Sequence, residues 1–249
     1  MEEIKETNNK ISSVNLTVLY DNNSFKESLQ TDWGFSCFID TDKNKILFDT
    51  GDSGKILLSN MEKLGIDPKI IDTVFLSHFH HDHTGGLKDF LSINSKVNVY
   101  FPQSFPLELI TLIKESGANS IPVSDFTEIL PDVFSSGEIK AAIPEQSLVI
   151  RRPNELIIIT GCAHPGIVKI VQKIKDKFPD ELIYLVLGGF HLLRSSEEEI
   201  NDVIRKLFGM VVLSVAPTHC TGNAAREMFK DDFGADYVET GVGKNFVIK

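Results

Sequence analysis

The run Ser77-His78-Phe79-His80-His81-Asp82-His83-Thr84-Gly85-Gly86 holds four potential metal ligands, His78, His80, Asp82 and His83, within six residues. Imidazole nitrogen and carboxylate oxygen are the donor types that suit zinc or iron. A loop this short can present two imidazoles to one ion and an Asp–His pair to a second ion beside it. A histidine-rich surface turn has the same composition, so the rest of the chain has to decide. Three further stretches do: Gly161-Cys162-Ala163-His164-Pro165-Gly166, Gly188-Gly189-Phe190-His191 and Pro217-Thr218-His219-Cys220-Thr221-Gly222. Each places a histidine just after an apolar run of strand length and before or near a helix. In open α/β sheets, ligands gather at the carboxyl ends of strands. One histidine in such a place is ordinary; three of them beside a His-x-His-x-Asp-His cluster form a pattern. Six of the seven histidines are therefore candidate ligands, and His81 fills the loop.

Asp49 ends the run Ile46-Leu47-Phe48 and opens Asp49-Thr50-Gly51, again at a strand end. Metal-bound histidines commonly donate their other N–H to a carboxylate, which fixes tautomer and ring orientation; Asp49 is assigned that role. An aspartic-protease reading needs two such carboxylates, and the chain has one Asp-Thr-Gly. Cys162 and Cys220 adjoin proposed ligands and are candidates to support them or to be alternative ligands, but buried cysteine is more often a small apolar residue, and both are left outside the ligand set. Thr221, Gly222 and Asn223 open a helix whose first N–H groups suit a substrate phosphate or carboxylate. An ordinary glycine-containing helix entry explains the stretch equally well. No nucleophile elbow or phosphate loop is present.

These residues need strands to end beside one another. Val14–Tyr20, Phe35–Asp40, Lys45–Phe48, Thr73–Ser77 and Val97–Phe101 read as strands, with a helix from Ser53 to Leu64. Leu148–Arg151 and Leu156–Thr160 pair across Pro153-Asn154. Helices at 167–178, 197–208 and 224–229 alternate with strands at 182–187 and 211–215. Ser196-x-x-Glu199 reads as a capping box, so Glu197-Glu198-Glu199 is a helix start and not an acidic binding face. Val238 and Phe246–Ile248 are candidates to close the sheet. Residues 105–143 read as one helix, Leu107–Glu115, and then short strand-like pieces broken by Pro122, Pro131, Gly137 and Pro144. Segments 22–34 and 105–143 are candidates to cover a pocket, with Phe126 and Phe134 as apolar walls or, the commoner fate of phenylalanine, as buried core. The whole chain, 1–249, reads as one layered α/β domain with residues 1–12 flexible.

The 249 residues are 42% hydrophobic and 24% charged, an ordinary globular balance. The 25 Lys+Arg against 35 Asp+Glu give a net charge of −10, which disfavours a nucleic-acid partner. Three scattered cysteines make no disulfide framework. No apolar run approaches the ~20 residues of a membrane span, and the start lacks a signal peptide's basic and apolar regions. The expected setting is cytoplasmic, with a small-molecule substrate and no membrane partner.

His78-x-His80-x-Asp82-His83 resembles the signature loop of the metallo-β-lactamase superfamily, and Asp49, His164 and His219 match its other motifs. The resemblance covers residues 14–248. It implies a four-layer αββα sandwich, two mixed sheets face to face with helices outside, and a dinuclear site along one edge. It also implies His78, His80 and His164 at one ion, with Asp82, His83 and His219 at the other. Two divalent ions are implied, with zinc the first choice and iron or manganese as alternatives. Trp33-Gly34-Phe35-Ser36, Glu145-Gln146-Ser147-Leu148, the Gly161 and Gly188 stretches and His219-Cys220-Thr221-Gly222 are similar to a narrower group. That group is named for 7,8-dihydropterin-6-methyl-4-(β-D-ribofuranosyl)aminobenzene 5'-phosphate synthase. One departure stands out: the superfamily usually bridges its ions with an Asp after the fourth strand, whereas Leu182–Phe190 contains no acid. Either His191 ligates there or water alone bridges. The function implied is a metal-dependent hydrolase or transferase in which Asp82 is catalytic, acting on a phosphate- or carboxylate-bearing metabolite. The alternative is a sensor or redox diiron module without hydrolytic turnover. A diiron redox site would favour a carboxylate in the signature loop, and His80 speaks for hydrolysis.

Overall fold

In the computed structural model, which describes residues 10–249, two sheets face each other. The first contains β1 (Val14–Tyr20), β2 (Ser36–Thr41), β3 (Lys45–Phe48), β4 (Thr73–Phe75), β5 (Asn98–Pro102) and β6 (Asn119–Val123). The second contains β7 (Thr127–Leu130), β8 (Val133–Ser135), β9 (Leu148–Arg152), β10 (Glu155–Thr160), β11 (Leu182–Gly189) and β12 (Val212–Thr218). The last strand, β13 (Asn245–Ile248), returns to the first sheet, giving the orders β13-β1-β2-β3-β4-β5-β6 and β12-β11-β10-β9-β8-β7. β3 to β6 run parallel, as do β10 to β12, so their carboxyl ends share an edge within each sheet.

Strand β10 shows why these runs are apolar throughout. Ile157 and Ile159 join the layer between the sheets with Leu16, Val18, Ile39 and Phe48, while Leu156 and Ile158 face the outer helices. Alternate residues point to opposite faces, and here both faces are covered. Each such side chain contributes roughly 1.5–3 kcal/mol on burial. Helices α1 (Gly54–Lys63), α2 (His81–Thr84), α3 (Leu87–Ile93) and α4 (Leu107–Glu115) belong to the first half. α5 (Ile167–Lys177), α6 (Glu197–Gly209) and α7 (Asn223–Phe233) belong to the second. Leu57, Phe90 and Ile113 pack on the outside of the first sheet, and Ile170, Ile204 and Phe229 on the outside of the second. The four-layer αββα arrangement expected from the sequence is the one observed. The capping box at Ser196 and Glu199 forms in both directions.

Three expectations need correction. Residues 1–9 of the flexible start lie outside the described residues, but Ile11 is fully buried and Ser12 hydrogen-bonds Asp42, so order begins before residue 13. Phe126 and Phe134 stack on each other and against Phe178 on the helix side of the second sheet, not over a pocket. Val238 is no strand; its N–H reaches Val215 O beside β12 at 2.8 Å. Between 119 and 135 the chain makes three short strands, in keeping with the strand-like pieces of its sequence. Pro122 sits in β6, which is an edge strand, where a missing N–H is tolerated. Among the described residues, no helix is long and apolar enough to cross a membrane.

Candidate metal centre

The carboxyl ends of β3, β4, β10, β11 and β12 deliver Asp49, the 77–83 loop, the 161–164 loop, His191 and His219 to one edge of the sandwich. Four residues there hold left-handed backbone without being glycine: Asp49 (φ +51°), Ala163 (+59°), His191 (+56°) and His219 (+48°). Such conformations are uncommon for non-glycine residues and persist where surrounding bonds over-determine them.

Those bonds are specific. Ser77 N–H donates to Asp49 Oδ1 at 2.7 Å and Ser77 Oγ–H to Asp49 Oδ2 at 2.6 Å. Since the Ser77 proton goes to Asp49, its oxygen accepts from His78 Nδ1, 2.9 Å away. Asp49 Oδ2 also lies 2.7 Å from His83 Nδ1, which must be the donor. His219 Nδ1 lies 2.9 Å from Asn22 Oδ1 and donates in the same way. In all three rings the proton is fixed on Nδ1, so each turns the lone pair of Nε2 inward.

Two groups of donor atoms result. His78, His80 and His164 form the first, with His78 Nε2 only 3.2 Å from His80 Nδ1. Asp82, His83, Cys162 and His219 form the second, with Asp82 Oδ2 at 3.3 Å from His219 Nε2 and 3.6 Å from His83 Nε2. Within each group all donor atoms lie within 4.8 Å of one another. Burial pushes the His83 imidazole down to about 4, with His219 adding to it, and pushes His164 down to about 3, with His191 adding. Both rings are therefore neutral and able to donate lone pairs at neutral pH. Burial works to raise the Asp82 carboxyl, but His219 and His83 outweigh it and hold it below the ordinary range.

The donor set fits divalent metal. His164 Nε2 and His219 Nε2 are buried with no hydrogen-bond partner, an expensive arrangement unless a cation takes the lone pairs. Asp21, Asp49 and Glu145 are fully buried around the same space, and among the described residues none of them pairs with lysine or arginine.

Three features escaped the sequence reading. Glu145 is one: Oε1 accepts from Thr160 Oγ1 and from the N–H groups of Gly161, Cys162 and Ala163 at 2.9–3.2 Å, and Oε2 from His164 N–H at 2.8 Å. The 145–148 stretch stood out by resemblance, yet nothing in it marked a carboxylate that shapes a loop 16 to 19 residues on. The Asp21-Asn22-Asn23 loop is the second. Asp21 accepts from Thr218 Oγ1 at 2.5 Å, and Asn22 orients His219. The third is Cys162, left outside the ligand set but placed with Sγ 3.2 Å from His83 Nε2.

Other candidates sit differently from expectation. His191 is exposed at the rim, its ring 4.4 Å from that of His164, and it groups with Cys162 and His164 rather than between the two main clusters. His81 points away and meets Asp52 at 2.7 Å. The Thr221 hydroxyl is turned inward: it donates to Thr218 O and accepts from Phe190 N–H. Gly222 is packed under Leu193, and Asn223 is exposed. Trp33 covers His219, ring centroids 4.8 Å apart, and borders a cleft of about 450 Å³ with His191, Leu193, Arg194, Ser195, Glu199 and Cys220. A larger groove, about 930 Å³, lies between α3 and α4 and contains none of these residues.

Residues 34–109 match the sequence profile of the metallo-β-lactamase superfamily. Together with the sandwich and the histidine-lined edge, this match and the relatives below define the class: the chain belongs to the metallo-β-lactamase superfamily. Within it, the chain is 31% identical over 284 residues to the 7,8-dihydropterin-6-methyl-4-(beta-D-ribofuranosyl)-aminobenzene-5'-phosphate synthase of Methanocaldococcus jannaschii, covering 94% of this chain and 97% of that protein. Among solved structures it is similar to Tm1679, a metal-dependent hydrolase of the β-lactamase superfamily (29% identity, TM-score 0.79, 94% of this chain and 98% of that one). The metallo-β-lactamase fold protein YhfI from Bacillus subtilis shares the fold at 14% identity (TM-score 0.71, 94% and 99% covered).

Proposed function

We propose that the protein is a metal-dependent hydrolase or group-transfer enzyme with a dinuclear centre, acting on a small phosphate- or carboxylate-bearing metabolite of pterin-related chemistry. The observation that carries this is the fixed Nδ1 protonation of His78, His83 and His219, which aims three Nε2 lone pairs into a space shared with His80, Asp82 and His164. His78, His80 and His164 would hold one ion, and Asp82, His83 and His219 the other. Zinc suits these donors, and iron or manganese would also be accepted. Divalent ions bound there would supply Lewis acidity toward a substrate oxygen and a water acidified toward neutral pH.

The chain's own residues do the rest. Asp82 stays charged beside His83 and His219 and is only partly covered, so it can accept a hydrogen bond from a group that approaches the centre. Trp33 and Leu193 offer apolar surface, and Arg194 offers a bidentate anion partner in the same cleft. An aromatic wall beside a guanidinium suits a substrate that is aromatic at one end and anionic at the other. The name of the Methanocaldococcus jannaschii relative describes a compound of that kind.

Chelator-stripped and zinc-reloaded protein should be assayed on phosphodiester, thioester and lactone model substrates. Turnover is expected only after reloading, and Asp82→Ala is expected to abolish it while leaving a folded protein. Equal turnover before and after chelation, or full turnover in Asp82→Ala, would count against the reading.

A further inference from the structure

We infer that Cys162 is itself a metal ligand, a thiolate that completes the Asp82–His83–His219 cluster and links it to the His164 side of the site. This rests on the dinuclear reading above and goes beyond it, because it adds a soft donor to a site otherwise made of nitrogen and oxygen.

Cys162 belongs to both neighbouring donor groups, that of Asp82, His83 and His219 and that of His164 and His191, with all donor atoms in each within 4.8 Å. Its Sγ lies 3.2 Å from His83 Nε2, the atom that carries the inward lone pair. A thiol proton could fill that gap, but it would leave His219 Nε2, buried 3.3 Å from Asp82 Oδ2, without a well-formed hydrogen bond. One ion facing Cys162 Sγ, His83 Nε2, His219 Nε2 and Asp82 Oδ2 resolves all four groups at once. Binding would form a sulfur–metal bond and release the thiol proton to solvent, with no change of oxidation state.

The end of β11 supports this placement. The strand carries no acid, and its last residue is Gly189, where a Cβ would come within 2.6 Å of Cys220 Sγ and 3.2 Å of Cys162 Cα. A side chain at Gly189 would also meet Gly161 O at 2.6 Å, so the 161–162 backbone and Cys220 Sγ together occupy the place where that residue's side chain would sit. Glu145 then fixes the loop: three successive N–H groups, those of Gly161, Cys162 and Ala163, bind one carboxylate oxygen. Cys220 lies in the same pocket but outside the donor groups, its Sγ 3.5 Å from Cys162 O. It is the internal control.

Thiolate ligation favours zinc over hard ions such as magnesium or manganese. The test is cobalt(II) loading of chelator-stripped full-length protein, read by absorption. A thiolate-to-cobalt charge-transfer band in the near ultraviolet is expected in the wild type and in Cys220→Ser, and is expected to be lost in Cys162→Ser. Affinity for the second cobalt equivalent should fall in Cys162→Ser by at least the ~10–100-fold that loss of an outer ligand partner costs. Should Cys162→Ser fail to fold, cadmium-113 NMR of the wild type decides, a sulfur-ligated shift being expected. Cobalt bound without the band, a cadmium shift showing only nitrogen and oxygen ligands, or a band that survives in Cys162→Ser overturns the inference and leaves the dinuclear reading standing. No cobalt bound at all overturns both.

Discussion

Glu145→Ala is expected to destabilise the protein by several kcal/mol, the sum of what its unpaired donors cost, and to abolish metal retention. The side chain is fully buried and satisfies five donors that have nowhere else to turn. Each buried donor left unpaired costs about 1–3 kcal/mol, and the loop it shapes includes Ala163 in left-handed backbone. When that loop relaxes, His164 and Cys162 lose their places together. Glu145→Gln separates the parts. Its carbonyl oxygen can keep the four donors now on Oε1, while its NH₂ faces the N–H of His164. A loss of about 1–3 kcal/mol is expected, with His164 as the residue displaced. Urea denaturation midpoints and metal content check both variants. An alanine variant within about 0.5 kcal/mol of wild type, the range of an unremarkable surface change, would refute the role given to Glu145.

Asp49→Asn is expected to keep the fold and lower metal affinity by roughly 10–100-fold or more. Asparagine is the substitute that tolerates the left-handed backbone at this position (φ +51°). Its Oδ1 can still accept from Ser77 N–H. Its NH₂, however, would point at Ser77 Oγ and His83 Nδ1, where the carboxylate now accepts two protons. His83 must then carry its proton on Nε2, which blocks the lone pair aimed at Asp82 and His219. Competition titration against a zinc chelator measures the change. Wild-type affinity in Asp49→Asn would show that Asp49 does not set the tautomer.

The histidines were legible because residue type and placement carry their signal within a few positions of each motif. The strands that deliver them were legible because burial on both faces makes continuous apolar runs, as in Leu156 to Ile159. The partners that aim the histidines were not. Asn22 and His219 are 197 positions apart, and nothing local to Asp21-Asn22-Asn23 distinguishes it from any polar turn. Glu145 could be picked out only by knowing that β9 and β10 bring its carboxylate under the next loop. Cys162 was passed over for a related reason: a buried cysteine is usually inert, and only the position of Sγ beside His83 Nε2 separates the two cases. The strands from 119 to 135 were legible as short pieces without exact bounds, because proline, which edge positions permit, interrupts them.

On this reading, two donor groups at this edge would each hold one divalent ion. Metal content of stripped and zinc-reloaded protein, determined by mass spectrometry, tests it most directly when wild type is compared with His80→Ala and His219→Ala. Two ions per chain are expected in the wild type and one in each variant, with one group emptied and the other kept. No retained ion in the wild type, or two in both variants, would contradict it.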